Sequence, residues 1–160
     1  MKTKQTGSIM IEAAYILPIL MLVVFLVFEI LNYSIDRLLL NNILSDINKT
    51  VLIETSALVA GEDPSNLQLV ACTADKVTHD VAAITDLIET NVKNSSILSG
   101  VALPDGFNVQ SSTSDVANLE TLVIKASYPI QTQFVPENLT QALAVHSTMI
   151  TTSGFPCDAP

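Results

Sequence analysis

The chain has 160 residues and a formal net charge of −9, from 7 lysine and arginine residues against 16 aspartate and glutamate residues. This length accommodates about one membrane segment and one small domain. The acidic balance removes the attraction to phosphate that supplies most nucleic-acid affinity, so we expect no nucleic-acid partner.

The first predicted element is a membrane-spanning helix over residues 8–31. Its few polar residues are Ser8, Glu12, Tyr15 and Glu29. As a helix the segment would extend roughly 36 Å, enough to cross the hydrocarbon core of a bilayer. Lys2 and Lys4 precede it, and no basic residue follows until Arg37. The positive-inside rule therefore predicts a cytoplasmic N-terminus and an extracytoplasmic remainder.

A cleaved secretory signal also combines basic residues with an apolar run. Its peptidase requires small residues after that run, whereas residues 30–35 read Ile-Leu-Asn-Tyr-Ser-Ile. An ordinary signal also has no use for a carboxylate at Glu12. Both features disfavour the secretory signal.

The acidic residue Glu12 lies within the apolar segment, where an ionised side chain is unfavourable and needs a partner. The sequence Lys-Thr-Lys-Gln-Thr-Gly at 2–7, followed by Ser-Ile-Met-Ile-Glu at 8–12, resembles a prepilin processing site. The resemblance implies that a membrane aspartyl peptidase cuts between Gly7 and Ser8. It also implies that Glu12 pairs with the free N-terminal amine of a neighbouring subunit, so that two unfavourable charges in lipid offset one another.

The residues after Glu12 indicate a more specific resemblance within the proteins that have prepilin processing sites. The run Glu-Ala-Ala-Tyr-Ile-Leu-Pro at 12–18, an aliphatic stretch and Phe28-Glu29 are similar to the TadE-like pseudopilins of tight-adherence (Flp-type) pilus systems. Ala13 departs from that family, which commonly has an aromatic residue at this position. The resemblance implies four partners: the prepilin peptidase, other pilin or pseudopilin subunits, the inner-membrane pilus platform and the lipid bilayer.

Two further residues of the apolar segment have alternative interpretations. Pro18 cannot donate to the helix ladder and is expected to kink or loosen the helix, as a tolerated irregularity or as a packing feature. Glu29 lies near the outer end of the segment and is interpreted as an interfacial residue that reaches water.

Apolar residues recur at helical spacing beyond the membrane segment, which predicts an amphipathic continuation of the helix over residues 32–60. The predicted apolar stripe comprises Ile35, Leu39, Ile43, Ile47 and Val51, widened by Leu38, Leu40 and Leu44. Gly61 is the predicted stop. We expect the domain's own sheet to cover the stripe, with other subunits as the alternative.

A second helix is predicted between Thr73 and Lys93. The apolar residues that indicate it are Val77, Val81, Ile84, Ile88 and Val92, spaced by three or four. Asn94, Ser95 and Ser96 would end it.

Strand patterns follow the turn-like sequence Pro-Asp-Gly at 104–106. The predicted strands are 107–112, 119–128 and 144–152, with a loop or short helical turn near 134–138. In the second strand we expect one face to be formed by Leu122, Ile124, Ala126 and Tyr128. The Tyr-Pro pair at 128–129 and the run at 146–150 also resemble the C-terminal part of TadE-like proteins.

Cys72 and Cys157 are the two cysteines of the chain. Both fall in the part predicted to lie outside the cytoplasm, where disulfides persist. Their one possible intrachain bridge would stabilise the domain by about 4 kcal/mol in the chain-entropy model. Two unrelated buried thiols are the alternative.

The sequence contains no phosphate loop, zinc-binding pattern or nucleophile motif, so we expect neither an enzyme nor a cofactor. His79 and His146 lie far apart without neighbouring ligands and are interpreted as surface or strand residues, not metal ligands. Asp75, Asp80 and Asp86 lack the spacing of a calcium loop and are interpreted as a solvated helix face.

The predicted molecule is an α+β, pilin-like protein. Residues 1–7 form the prepilin leader, 8–31 the transmembrane helix, 32–60 the amphipathic continuation and 61–160 an extracytoplasmic domain. We expect a single-pass inner-membrane protein that acts as a minor pilin or pseudopilin and can enter a surface pilus. The alternatives are a major pilin or type II secretion pseudopilin, and a signal-anchored extracytoplasmic ligand-binding protein.

Overall fold

The computed structural model describes residues 6–62, 68–95, 103–116, 119–129 and 144–157, with side chains for all of these except 6–13 and 115–116. The elements in chain order are α1 (Thr6–Val59), β1 (Val70–Thr73), β2 (Lys76–His79), α2 (Val81–Asn94), β3 (Asn108–Val116), β4 (Leu119–Pro129) and β5 (Ala144–Ser153). A long N-terminal apolar helix is thus combined with a small antiparallel sheet, so the α+β prediction is confirmed.

α1 is a single helix of 54 residues, which corresponds to a length of about 80 Å. It ends where the N–H of Gly61 donates to the Leu58 carbonyl (3.1 Å) and the N–H of Glu62 donates to the Ala57 carbonyl (2.9 Å). This is a Schellman motif, which requires a left-handed residue. Gly61 supplies it with φ of +73°, so the predicted helix stop is confirmed.

The two halves of α1 have different surroundings. Among residues 14–32, every side chain is exposed except the half-buried Glu29. In the second half, one side of the helix is buried against the rest of the domain. The buried apolar residues there are Leu40, Leu44, Ile47, Val51 and Leu58. The domain itself therefore covers the stripe, as predicted.

The covered stripe is narrower than the predicted one. Ile35 and Leu38 were expected in it, yet 46% and 63% of their surfaces are exposed. At 100° per residue they lie on the opposite side of the helix from Leu40 and Leu44. The sequence has apolar residues on both sides of α1, and only the position of the sheet decides which side is covered.

The main sheet has the order β3-β4-β5, with both pairs antiparallel. Strand β4 alternates as predicted, and its buried residues Leu122, Ile124, Ala126 and Tyr128 face the core. Strand β5 contributes the cross-strand partners of these residues and packs against α1. The predicted loop near 134–138 lies outside the described residues.

Residues 70–79 form a β-hairpin, which corrects the prediction that a helix begins at Thr73. Strands β1 and β2 pair antiparallel around a two-residue turn. Ala74 and Asp75 occupy this turn with φ of +51° and +60°, as a type I′ turn requires. Val77 fits a helical spacing with Val81, but it is a buried strand residue.

The second helix, α2, begins at Val81 and is capped by Asp80, whose carboxylate accepts a hydrogen bond from the Ala83 N–H at 3.0 Å. Such an N-cap satisfies one of the free N–H groups of the first turn. The helix ends at Asn94, as predicted, and buries Ile84, Ile88 and Val92.

The chain after β5 connects the main sheet to the hairpin. The Gly154 N–H donates to the Val77 carbonyl at 2.8 Å, and the Val77 N–H donates to the Phe155 carbonyl at 2.9 Å. A disulfide joins Cys72 to Cys157, with an S–S distance of 2.05 Å and a Cα–Cα distance of 6.0 Å. The expected cysteine pair is therefore present, and it fixes the C-terminal tail to β1.

Candidate functional site

The predicted processing and assembly residues Gly7, Ser8 and Glu12 lie in the first turns of α1. Glu12 follows Ser8 by four residues, so about one helical turn separates their backbones. Their side chains and residues 1–5 lie outside the described residues. Cleavage after Gly7 and pairing through Glu12 therefore stay predictions.

The apolar part of α1 is uncovered in the described chain. An 18-residue window of the helix has a mean hydropathy of 2.7, and none of it is buried. A helix with this length and composition can cross a bilayer. A soluble core helix would be covered, whereas a secretory signal would share the same composition and position.

Pro18 and Glu29 lie within this uncovered segment. Pro18 has no N–H to donate to the Ala14 carbonyl, yet helix α1 continues on both sides of it. Glu29 is half-buried at the outer end of the segment. The proposed kink and the interfacial position of Glu29 stay predictions.

Beyond the apolar segment, Asp36 of α1 lies close to Tyr128 of β4. Burial raises the pKa of the Asp36 carboxyl, and its interaction with the Tyr128 hydroxyl partly offsets this rise. Burial and the neighbouring Asp36 charge raise the pKa of the Tyr128 phenol. Within the described part of the chain, the buried Tyr128 hydroxyl has no hydrogen bond of normal geometry. The two groups thus form a polar contact whose hydrogen bonds are incompletely satisfied. This contact between Asp36 of α1 and Tyr128 of β4 is called the neck.

A tight turn supports this neck from the sheet side. The Phe107 N–H donates to the Pro104 carbonyl at 3.0 Å, and Gly106 has φ of +75°, so the predicted turn is confirmed. A Cβ at Gly106 would approach the Pro129 ring to 3.0 Å. The Phe107 and Tyr128 rings lie 6.4 Å apart. The turn therefore packs against the end of β4 that contains Tyr128 and Pro129.

Comparison with known proteins adds no relative that would assign this arrangement. No protein-family model matches the chain, and searches of curated proteins and of solved structures give no match. The resemblance to TadE-like pseudopilins therefore rests on the residues quoted above, and function is argued from the architecture.

Near the far end of α1, the buried carboxylate of Glu54 accepts a hydrogen bond from the Leu69 N–H at 2.8 Å. Glu54 is 1% exposed and fixes the start of β1 against the helix. Glu54 was not among the residues predicted to be functional or structural. Its signal was an acidic residue at helical spacing between Val51 and Leu58, inside the apolar stripe.

The histidines occupy different environments. His146 is exposed on β5, whereas His79 is half-buried on β2. Burial lowers the pKa of His79, and its Nε2 atom lies 3.4 Å from the Thr151 hydroxyl. Among the described residues, no group of three histidine, cysteine or acidic side chains could hold a metal ion.

The three aspartates expected on one helix face are divided between elements. Asp75 lies in the hairpin turn and Asp80 is the N-cap of α2, so the prediction is wrong for both. Asp86 lies exposed on α2, as predicted. The hairpin, which separates Asp75 from α2, is the physical reason for the error.

Proposed function

We propose that the chain is a membrane-anchored minor pilin or pseudopilin that takes part in the assembly of a tight-adherence type pilus. The observation that carries the proposal is the division of α1. One continuous helix joins an uncovered apolar segment to a second half that forms the core of a small α+β domain.

The uncovered segment needs an apolar environment. Leaving a large aliphatic or aromatic side chain in water instead of burying it costs about 1.5 to 3 kcal/mol. Leu17 and Phe28 are 63% and 59% exposed, and their neighbours along α1 are exposed as well. A bilayer before assembly, and packed helices of other subunits after it, would cover this surface.

The charges at the N-terminal end fit the same proposal. Lys2 and Lys4 would hold the leader in the cytoplasm. Removal of the leader by a prepilin peptidase would create a free amine at Ser8. The Glu12 carboxylate would then pair with the Ser8 amine of a neighbouring subunit, beside the inner-membrane pilus platform.

The disulfide supports an extracytoplasmic position for the outer domain. The bridge between Cys72 and Cys157 would persist in the periplasm or at the cell surface but not in a reducing cytoplasm. This agrees with a single-pass protein whose C-terminal domain lies outside the inner membrane.

The substitution Glu12→Leu tests the assembly role. In cells with a complete pilus apparatus, we expect the variant to remain in the membrane but to be lost from sheared pili and from subunit complexes. A tenfold loss would correspond to about 1.4 kcal/mol of assembly free energy. Immunoblotting of the membrane and pilus fractions measures this ratio.

Glu29→Leu is the matched control, because it removes the other acidic residue of the same apolar segment. We expect this variant to assemble as the unaltered chain does. A simple membrane tether would tolerate or prefer leucine at position 12. Unchanged incorporation of Glu12→Leu would therefore contradict the proposed function.

A further inference from the structure

A groove of about 320 Å³ opens between α1 and β5. Its β5 wall consists of the four consecutive residues 147–150. Successive residues of a strand face opposite sides of the sheet, so one groove can contact all four only along the edge of the strand. The groove therefore exposes the backbone edge of β5.

Among the described residues, none pairs with this edge of β5 along the groove. β5 pairs with β4, and within the described ranges no strand occupies its other edge. On the α1 side, the Asn41 side chain accepts a hydrogen bond from the Ser147 hydroxyl. The buried Oδ1 atom of Asn48 has no partner among the described residues. The groove thus offers strand backbone groups together with an unused side-chain acceptor.

At the opposite edge of the sheet, residues 110–114 of β3 are exposed on both faces. Ser111 and Thr113 pair with the buried residues Ile124 and Leu122 and so face the α1 side of the sheet. Both are nevertheless exposed, because the described core does not extend over them. β3 and β5 each run antiparallel to β4, so the two free edges point in the same direction.

We propose that the β3 edge of one copy adds to the β5 edge of the next copy, which continues the sheet between outer domains. The inference rests on the membrane anchor of the proposed function, because anchoring in one bilayer gives neighbouring copies the same orientation. The two strands then pair in parallel. Each edge supplies the alternating donors and acceptors that the other lacks.

Charge favours this pairing of copies. The chain carries a net charge of −9, so copies repel one another wherever acidic residues face each other. β5 contains no acidic residue, and β3 contains one, Asp115, next to its last residue. The two edges are therefore surfaces on which acidic copies can approach.

In the proposed contact, neighbouring copies are related without a shift along the strands. Gln110, Lys125 and Thr148 form one row across the sheet, so the Gln110 of a neighbour at the same height lies beside Thr148. The neighbour's Ser111 then faces α1, where its hydroxyl can donate to the Oδ1 atom of Asn48. Because the two edges differ, the contact repeats from copy to copy and generates a ring or an open row.

Mixed disulfide cross-linking tests the contact. Full-length Gln110→Cys and Thr148→Cys chains with different tags are reconstituted together in lipid vesicles and mildly oxidised. The heterodimer of Gln110→Cys and Thr148→Cys should form several-fold faster than the heterodimer of Ser114→Cys and Thr148→Cys. Ser114 shares the strand and exposure of Gln110, but four residues place it about 13 Å further along.

A second part of the experiment places a charge in the proposed contact. Adding Ser111→Lys to the Gln110→Cys chain should abolish the heterodimer, because a lysine on an edge strand opposes pairing. Unchanged thermal unfolding would show that this variant is folded. Equal rates for Gln110→Cys and Ser114→Cys, faster self-linking of Thr148→Cys, or insensitivity to Ser111→Lys would each overturn the proposal.

These results are separable from the test of the proposed function. The vesicles contain neither peptidase nor pilus platform, so the cross-link does not depend on Glu12. If the cross-link is absent while Glu12→Leu is lost from pili as expected, only the sheet contact is overturned. A cross-link that persists while Glu12→Leu assembles normally overturns only the assembly role.

Discussion

His79 lies half-buried on β2, and its Nδ1 atom is enclosed without a hydrogen-bond partner in the described part of the chain. Burial lowers the pKa of this histidine, because a charged imidazole loses hydration there. The folded chain therefore favours neutral His79, which makes this side chain a source of pH-dependent stability.

Acidification should destabilise the outer domain through His79. The unfolded imidazole takes up a proton near about pH 6.5, whereas the folded one does so only at lower pH. The free energy of unfolding therefore falls as the pH drops from about 6.5 towards the folded pKa. Denaturant unfolding in detergent at about pH 7.5 and about pH 5.5 measures this fall.

Two histidine variants separate this effect from other titrations. His79→Gln should show a smaller fall in stability than the unaltered chain. His146→Gln, at an exposed position of β5, should behave as the unaltered chain does. If His79→Gln kept the full pH dependence, the burial of His79 would not be its cause.

At the scale of elements, α1 has apolar residues on two sides, of which the outer domain covers one. Leu44→Ala, at a position that is 2% exposed, should lower the free energy of unfolding by about 2 to 5 kcal/mol. Leu38→Ala, at a position that is 63% exposed, should change it by less than about 0.5 kcal/mol. Chemical denaturation of both variants in detergent tests which side is covered, and equal losses would contradict the packing described.

The β1–β2 hairpin contains a strained turn. Ala74 has φ of +51°, a conformation that costs an L-residue with a side chain about 1 kcal/mol. Ala74→Gly should therefore raise the free energy of unfolding by up to about 1 kcal/mol. Ala71→Gly, at an exposed position within β1, should lower it by about 0.5 to 1 kcal/mol. A destabilised Ala74→Gly variant would argue against this turn.

The elements differ in how far the sequence could predict them. β4 and β5 were predictable because a sheet with one covered face produces strict alternation. The hairpin was not, because its strands have only four residues and its turn lacks the usual glycine or asparagine. Val77 then matched the helical spacing of Val81 by coincidence. From residue spacing alone, a short hairpin whose turn lacks glycine and asparagine cannot be distinguished from the start of a helix.

At the scale of the whole molecule, contacts between distant segments were the least predictable feature. The cysteine pair could be predicted because two cysteines allow one intrachain bridge. The capping of the Leu69 N–H by Glu54 and the neck between Asp36 and Tyr128 depend on where the sheet packs on α1. Residue spacing does not reveal where the sheet packs on α1. The candidate processing residues, by contrast, are recognisable only from their local sequence.

The whole architecture places an apolar helix, an acidic residue near its start and a disulfide-bonded outer domain on one continuous axis. Helix α1 is continuous from the apolar segment into the domain. Under the proposed function, this helix is retained after processing, and only the residues before Ser8 are removed.

The mass of the mature N-terminal peptide tests this claim most directly. The chain is produced with and without a prepilin peptidase, purified from membranes and analysed by mass spectrometry. With the peptidase, we expect a chain that begins at Ser8, while Gly7→Leu should retain residue 1. A chain that still begins at residue 1 beside an active peptidase, or one cut beyond Ser34, would contradict the proposed function.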